Sequence, residues 1–181
     1  PDLTSPYQFF QHWMRTDDRQ VEEFLAKFTL LPMDEVRAIA AAHAEHPERR
    51  AGQRRLAEEV TRLVHGDEAT AAAAAATTVL FGGSPLEAGP EALAVVAAEV
   101  PTAPLPGRDE LAAGADLVPL LVEAGLASSK GEARRAIDQG GVSVNGRRVG
   151  PGAAVRTEDV LHGRYVLLRK GKKHYAMLVG A

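Results

Sequence analysis

The chain has 181 residues, no cysteine and a formal net charge of −3. This length suffices for one large domain or two small ones with buried cores, and the lack of cysteine excludes disulfides, thiolate metal sites and cysteine nucleophiles. No signal peptide or membrane span is visible, because the alanine-rich run at residues 71–76 is too short and too weakly apolar to cross a bilayer, so we expect a cytoplasmic protein.

Residues 1–100 have the apolar periodicity of a wholly helical domain. Ser5 is placed to cap the first helix, and Pro6 stands in its first turn, where a missing N–H costs nothing. Gly66 is expected to end a fourth helix, since glycine tolerates the left-handed backbone of a helix end. Residues 91–100 are expected to form the sixth helix of this all-α domain.

Residues 101–114 contain three prolines and two glycines, which is typical of a linker between domains. The remainder, residues 115–181, predicts a small α+β domain. Two helices, at about 117–124 and 130–139, are expected to pack on a short, mostly antiparallel sheet, and alternating apolar residues in the last two segments predict a closing hairpin.

Charge is divided unevenly between the two halves. Residues 115–181 carry 11 Lys and Arg against 6 Asp and Glu, a net charge of +5, whereas residues 1–114 carry 10 against 18. Cations gathered on one domain form a footprint for a polyanion. The alternative is an unrelated difference in charge between two surfaces, and the distribution alone does not separate the two interpretations.

The helix at 130–139 carries the first cluster of cations. Lys130 and Arg134 lie one turn apart, beside the apolar face that must pack inward. Arg135 points elsewhere, where Glu132 is placed to neutralise it. Lys130 and Arg134 are therefore the better candidates for contacts with phosphate groups, and Arg135 is the weaker one.

Two further clusters follow in the strands. Asn145 and Gly146 predict a tight hairpin turn, because both residues tolerate positive φ, and the turn sets where Arg147 and Arg148 project. The third cluster lies in the last hairpin. Any one cluster is consistent with an ordinary solvated surface, but three on one small domain favour the phosphates of a folded RNA. The candidate RNA-binding residues are Lys130, Arg134, Arg135, Arg147, Arg148, Lys170, Lys172 and Lys173.

No enzymatic or metal site is predicted. His43 and His46 are three residues apart but lack a third ligand nearby, so we do not expect zinc. Ser128, Ser129 and Lys130 open the basic helix, where capping is a simpler role than a catalytic Ser–Lys pair. No glycine-rich phosphate loop and no nucleophile elbow occurs in the sequence.

Three segments resemble bacterial tyrosyl-tRNA synthetases. Residues 126–149, with Val-Asn-Gly-Arg-Arg at 144–148, resemble the RNA-binding module of the ribosomal-protein-S-four type. Residues 4–19, ending Thr-Asp-Asp-Arg, resemble the opening of that family's helical anticodon-binding domain, and residues 49–66, ending Val-His-Gly, resemble its long helix. The order of these segments is typical of that family, and the resemblance covers essentially the whole chain.

The resemblance implies a parent enzyme that is a homodimer and uses ATP, with magnesium, to attach tyrosine to its tRNA. The His-x-Gly-His and Lys-Met-Ser-Lys-Ser motifs of the family's catalytic domain do not occur in this sequence. We therefore interpret the chain as the tRNA-binding carboxy-terminal portion, which grips the anticodon and variable arms, binds no cofactor itself, is not catalytic alone and is partnered by the missing amino-terminal catalytic domain. A freestanding RNA-binding or regulatory protein and a protein-interaction scaffold are the alternatives.

Overall fold

Helices dominate the chain, and a small mixed sheet lies toward its carboxyl end, in a computed structural model that describes residues 4–180. The α-helices are α1 (Pro6–Met14), α2 (Val21–Phe28), α3 (Met33–Glu45), α4 (Ala51–Leu80), α5 (Pro90–Glu99), α6 (Arg108–Ala113), α7 (Leu117–Glu123) and α8 (Lys130–Asp138). The strands are β1 (Thr102–Pro104), β2 (Ala115–Asp116), β3 (Val142–Val144), β4 (Arg147–Arg148), β5 (Ala154–Val155), β6 (Tyr165–Lys170) and β7 (His174–Val179). Short 3-10 helices occur at Asp18–Gln20, Pro47–Arg49, Pro85–Glu87 and Thr157–Asp159.

The chain divides into two compact units, of which the first extends to Thr77 and the second begins at Thr78. In the first unit, the Ser5 hydroxyl accepts a hydrogen bond from the Gln8 amide at 3.1 Å, so the predicted cap of α1 is confirmed. The predicted break at Gly66 is also present, as a residue with φ of 83° that interrupts α4.

The core of the first unit is built from the apolar faces of α2, α3 and α4. Val21 and Leu25 of α2 are buried together with Val36 of α3 and Leu56 of α4. Trp13 packs at the edge of this cluster, where its ring meets those of several phenylalanines. The helical periodicity of these positions therefore places them in one buried cluster.

The main sheet of the second unit has the strand order β1-β7-β6-β3-β4. Strand β1 runs parallel to β7, whereas the β7–β6, β6–β3 and β3–β4 pairs are antiparallel. Strands β2 and β5 form a separate antiparallel pair. The sheet is thus mixed, with the predicted closing hairpin at its centre.

The two faces of this sheet have different surroundings. Helices α7 and α8 cover one face, where Val142, Val144, Val166, Leu168 and Leu178 contribute to a shared core. Side chains alternate along a strand, so the intervening residues of β3, β6 and β7 point to the opposite face. Helix α5 packs against β7. The position of a residue along its strand therefore decides whether its side chain points to the face covered by α7 and α8 or to the opposite face.

Residues 101–114 differ from the linker that their composition predicts. Thr102 and Ala103 pair with Met177 and Leu178 of β7, and Ala103 is buried. Leu111 of α6 is buried in the same core as α7 and α8. Prolines are compatible with this arrangement because β1 is an edge strand, where a missing N–H need not break a ladder. Helix α5, expected in the helical domain, also lies in the second unit.

Candidate nucleic-acid interface

The start of α8 is fixed by reciprocal capping. The Ser129 hydroxyl accepts a hydrogen bond from the Glu132 amide at 3.2 Å. The Glu132 carboxylate in turn accepts bonds from the Ser128 amide at 2.8 Å and the Ser128 hydroxyl at 2.6 Å. This pattern satisfies donors at the helix end, so the predicted capping role of the two serines is confirmed.

The cations of α8 lie on its exposed side. Lys130, Arg134 and Arg135 are all exposed, while Ala133 and Ile137 are buried beneath them. The helix is a rigid element because its other face packs in the core. Exposed cations that a rigid element holds in place are suited to binding the phosphates of a folded polyanion. The structure therefore places Lys130 and Arg134 where the sequence predicts.

Glu132 pairs with a different cation from the one that the sequence predicts. Its carboxylate contacts the Lys170 ammonium of β6 at 2.6 Å, and among the described ion pairs none joins Glu132 to Arg135. The hydrogen bonds from Lys170 and Ser128 lower the pKa of Glu132 to about 2. The predicted pairing of Glu132 with Arg135 is wrong because the fold brings Lys170 of β6 next to α8. The three-residue spacing of Glu132 and Arg135 along the helix gives no information on contacts with other elements.

The turn between β6 and β7 is held against the end of α8. The Gly171 amide donates to the Gly141 carbonyl at 2.7 Å, beside the Lys170–Glu132 ion pair. Lys172 and Lys173 are exposed in this turn. Two of the predicted clusters, one on α8 and one in the last hairpin, are thus brought together by the fold.

The predicted turn between β3 and β4 is present, with φ of 47° at Asn145 and 82° at Gly146. The side chain of Asn145 is buried and forms contacts that the sequence analysis missed. Its amide oxygen accepts from the Leu167 amide at 2.9 Å, and its amide nitrogen donates to the Asp159 carbonyl at 2.6 Å. Asn145 therefore attaches the hairpin to β6 and to the segment at Asp159.

Arg147 and Arg148 project to opposite faces of the sheet, because they are consecutive residues of one strand. Arg147 lies opposite Val144, a core residue on the helix-covered face, and forms an ion pair with Asp159 at 3.2 Å. Arg148 lies opposite Ser143, on the other face. The two arginines share the exposed edge of the sheet, but they do not form one cluster. This separation could have been predicted from the sequence, because consecutive residues of a strand point to opposite faces.

Carboxylates of the first unit have structural partners. Asp18 contacts the buried His43 ring at 3.2 Å and the Gln53 amide at 2.5 Å. Asp17 contacts Arg19 at 3.2 Å, and these hydrogen bonds lower the pKa of Asp17. The described part of the chain contains no group of three or more histidine or acidic side chains arranged to hold a metal ion.

Between residues 4 and 180, no helix combines the length and the apolar composition that a membrane span requires. The exposed cations of α8, the β3–β4 hairpin and the β6–β7 turn lie on a unit that has a buried apolar core. This combination of rigid elements and exposed Lys and Arg defines a protein with a candidate interface for nucleic acid.

Comparison with known families supports that class. The family described as "Tyrosine–tRNA ligase SYY-like C-terminal domain" matches residues 93–178. The family described as "tRNA synthetases class I (W and Y)" matches residues 1–82. Together the two matches leave residues 83–92 and 179–181 uncovered.

Curated relatives match nearly the whole chain. The tyrosine–tRNA ligase of Anaeromyxobacter dehalogenans is 48% identical over 180 residues, which are 98% of this chain and 42% of that protein. The tyrosine–tRNA ligase of Roseiflexus castenholzii is 40% identical over 179 residues, with the same shares. Among solved structures, a truncated mitochondrial tyrosyl-tRNA synthetase of Aspergillus nidulans is 36% identical over 44% of this chain and 24% of its own, with a TM-score of 0.43.

The matches place the chain among the class I aminoacyl-tRNA synthetases. Within that class it belongs to the tyrosine–tRNA ligase family, and it corresponds to the carboxy-terminal portion of those enzymes. The chain spans about 42% of the length of the curated relatives that it matches.

Proposed function

We propose that this chain binds the tRNA of tyrosine, as the tRNA-binding portion of an enzyme that attaches tyrosine to that tRNA with ATP. The observation that supports it most directly is the joining of two cation clusters. The Lys170–Glu132 ion pair and the Gly171–Gly141 hydrogen bond hold the lysine turn of the last hairpin beside α8. Phosphate groups are bound by this kind of fixed array of Lys and Arg side chains.

In this proposal, Lys130 and Arg134 of α8 act together with Lys172 and Lys173 on the phosphates of one RNA segment. All four side chains are exposed. Lys170 has a second duty, because its ammonium also binds Glu132. Arg135, Arg147 and Arg148 are retained as more peripheral contacts, of which Arg147 is partly compensated by Asp159.

The helical first half is proposed to contact the anticodon arm, and the carboxy-terminal α+β part the variable arm as well. Single-stranded loops are read by hydrogen bonds to splayed-out bases, for which carboxylates and amides are suitable partners. We propose that ATP and magnesium bind another part of the enzyme. We also propose that the enzyme is a homodimer and is located in the cytoplasm. We further propose that residues 115–181 contain the module of the ribosomal-protein-S-four type.

The test is a binding titration of the full 181-residue chain against transcripts of the tyrosine tRNA and of a tRNA for another amino acid, repeated over a range of salt. We expect preference for the tyrosine tRNA. If about 4 phosphates are neutralised, the slope of log affinity against log salt should be about −3. Equal affinity for the two tRNAs would contradict specific recognition, and a slope near zero would contradict phosphate contacts.

A further inference from the structure

The strand register aligns four residues in a row across the face of the sheet opposite α7 and α8. Arg148 of β4 pairs with Ser143 of β3, Ser143 pairs with Arg169 of β6, and Arg169 pairs with Tyr175 of β7. Directly opposite residues share a face, with Cβ atoms about 5 Å apart. Two arginines therefore flank one serine on this face.

Ser143 is buried, with 2% of its surface exposed. Within the described part of the chain, its hydroxyl has no hydrogen-bond partner. Buried hydroxyl groups in proteins are nearly always hydrogen-bonded, because a buried polar group that has lost water and gained no partner is unfavourable. The row thus contains a donor and acceptor that the protein itself leaves unused.

Ser143 lines a small cleft that is partly open to solvent. Gly82, Gly83, Arg169 and Tyr175 also line it. A Cβ atom at Gly82 would lie 4.0 Å from a guanidinium nitrogen of Arg169, which is an ordinary van der Waals distance. Gly82 has φ of 100°, a conformation that favours glycine.

The guanidinium of Arg169 is held over the ring of Tyr175, at 5.9 Å from the ring centre. This cation–π contact favours one placement of the arginine side chain. Arg169 and Ser143 line the same cleft. A guanidinium and a hydroxyl can both donate hydrogen bonds to an oxyanion, and the guanidinium also carries positive charge. Among the described ion pairs, none uses Arg169 or Arg148.

We propose that this cleft binds one backbone phosphate of the RNA, with the Ser143 hydroxyl and the Arg169 guanidinium as donors and Arg148 at its margin. The proposal rests on the proposed function. RNA is the favoured source of the phosphate because the cleft adjoins two of the predicted clusters: Gly146, in its lining, precedes Arg147, and Arg169 precedes the turn at residues 170–173. The RNA would then also contact the sheet face that α8 does not cover.

The first test replaces Ser143 by Ala in the full chain and measures both the affinity for the tyrosine tRNA and the melting temperature. We expect the affinity to fall about ten-fold or more, as for the loss of one hydrogen bond to a charged group. The melting temperature should stay equal or rise, because an unpaired buried hydroxyl is removed. A hydroxyl with only a structural role would not lower affinity while leaving stability intact.

Thr61→Val is the matched control. The Thr61 hydroxyl is also buried and lacks a hydrogen-bond partner among the described residues, but Thr61 belongs to the first unit and is not among the residues that line the cleft. This variant should leave tRNA affinity unchanged. Arg169→Met should weaken binding, and the double variant with Ser143→Ala should lose less than the product of the two single losses, because both groups bind one phosphate.

The outcomes separate this proposal from the proposed function. If the unsubstituted chain fails to bind tyrosine tRNA, the proposed function and the RNA site fail together. If it binds normally and Ser143→Ala and Arg169→Met bind equally well, only the cleft proposal fails. Inorganic phosphate, titrated by NMR, distinguishes the source: phosphate-dependent shifts at Ser143 and Arg169 without any effect of the variants on tRNA affinity would assign the cleft to free phosphate and overturn the RNA assignment.

Discussion

The two units use their basic side chains differently. In the first unit, arginines form ion pairs that join or brace helices: Arg55 of α4 contacts Glu35 of α3 at 2.9 Å, and Arg62 contacts Glu59 at 2.8 Å and Asp67 at 2.9 Å. The contacts with Glu59 and Asp67 raise the pKa of Arg62. Cations whose charge is met within the unit offer little to a polyanion.

In the second unit, the ion pairs among described residues involve Lys170 and Arg147, while Lys130 and Arg134 and the turn lysines are exposed without one. Counted from Thr78, this unit has 12 Lys and Arg against 11 Asp and Glu, so its total charge is nearly balanced. A candidate site for a polyanion is therefore better judged from where the cations lie and from which of them have partners than from net charge alone.

The largest expected effect concerns where the second unit begins. Replacing Ala103 by Asp places a carboxylate in the core beneath β1 and should lower the free energy of unfolding by about 3–5 kcal/mol, as for a buried charge without a partner. Chemical denaturation measures this loss. Thr102→Asp, on the exposed side of the same strand, is the control and should be nearly neutral. Equal, small effects of both substitutions would show that these residues act as a linker.

Next in size is the effect of Asn145, which orients the hairpin of the second unit. Asn145→Ala removes both side-chain hydrogen bonds and forces a Cβ-bearing aliphatic residue into positive φ, so we expect a loss of about 2–3 kcal/mol. Asn145→Gly loses the same bonds but relieves the backbone, and should therefore be the less damaging variant. The thermal and denaturant stabilities of the two variants are the measurement. Unchanged stability of Asn145→Ala would mean that the hairpin is held by other contacts.

The α-helices outside residues 101–114, the caps, the Gly66 break, the Asn-Gly turn and the last hairpin could be predicted from the sequence, because each depends on residues close together along the chain. Ser5, Ser129 and Gly66 act within one helical turn. The extent of the second unit could not be predicted in the same way. Residues 102–104 become a strand by pairing with residues 177–179, and no local pattern in a proline-rich segment indicates that partner.

The same distinction applies to the candidate site. The exposed cations were recognisable by residue type and spacing, whereas their partners were not. Glu132 is three residues from Arg135 but binds Lys170, 38 residues away in sequence. The Val-Ser-Val sequence gives no sign that Ser143 lies between two arginines. The pairing of β3 with β4 and β6 places Arg148 and Arg169 opposite it. Such pairs depend on strand registration, which only the folded sheet defines.

A third prediction contrasts the two kinds of cation directly. Replacing Lys130 and Arg134 together by Ala should weaken tyrosine tRNA binding by about 1–3 kcal/mol, because charge-assisted contacts with phosphates are lost, while stability stays near that of the unsubstituted chain. Replacing Arg62 by Met, where the cation already has carboxylate partners, should leave affinity nearly unchanged. Equilibrium binding and thermal melting measure both. Loss of affinity in Arg62→Met but not in the double variant would reverse the comparison of the two units.

The smallest expected effect comes from Glu132, whose ion pair with Lys170 joins α8 to the strand that leads into the lysine turn. Its pKa in the folded chain is about 2, below the ordinary value of 4.5, so its contribution to stability is present above about pH 4.5 and is lost as the pH falls toward 2. Glu132→Gln should therefore melt at a lower temperature than the unsubstituted chain at pH 7, and the difference should shrink at pH 3.

The same substitution should raise the affinity for tyrosine tRNA about two-fold at low salt, because it removes a negative charge beside Lys170 and frees that ammonium for a phosphate. Glu158→Gln, a substitution of an exposed acidic residue in the same unit, controls for the change in net charge. Affinity that rises equally in both variants would assign the effect to net charge. Affinity that falls only in Glu132→Gln would show that the ion pair's main contribution is to hold the lysine turn in its binding position.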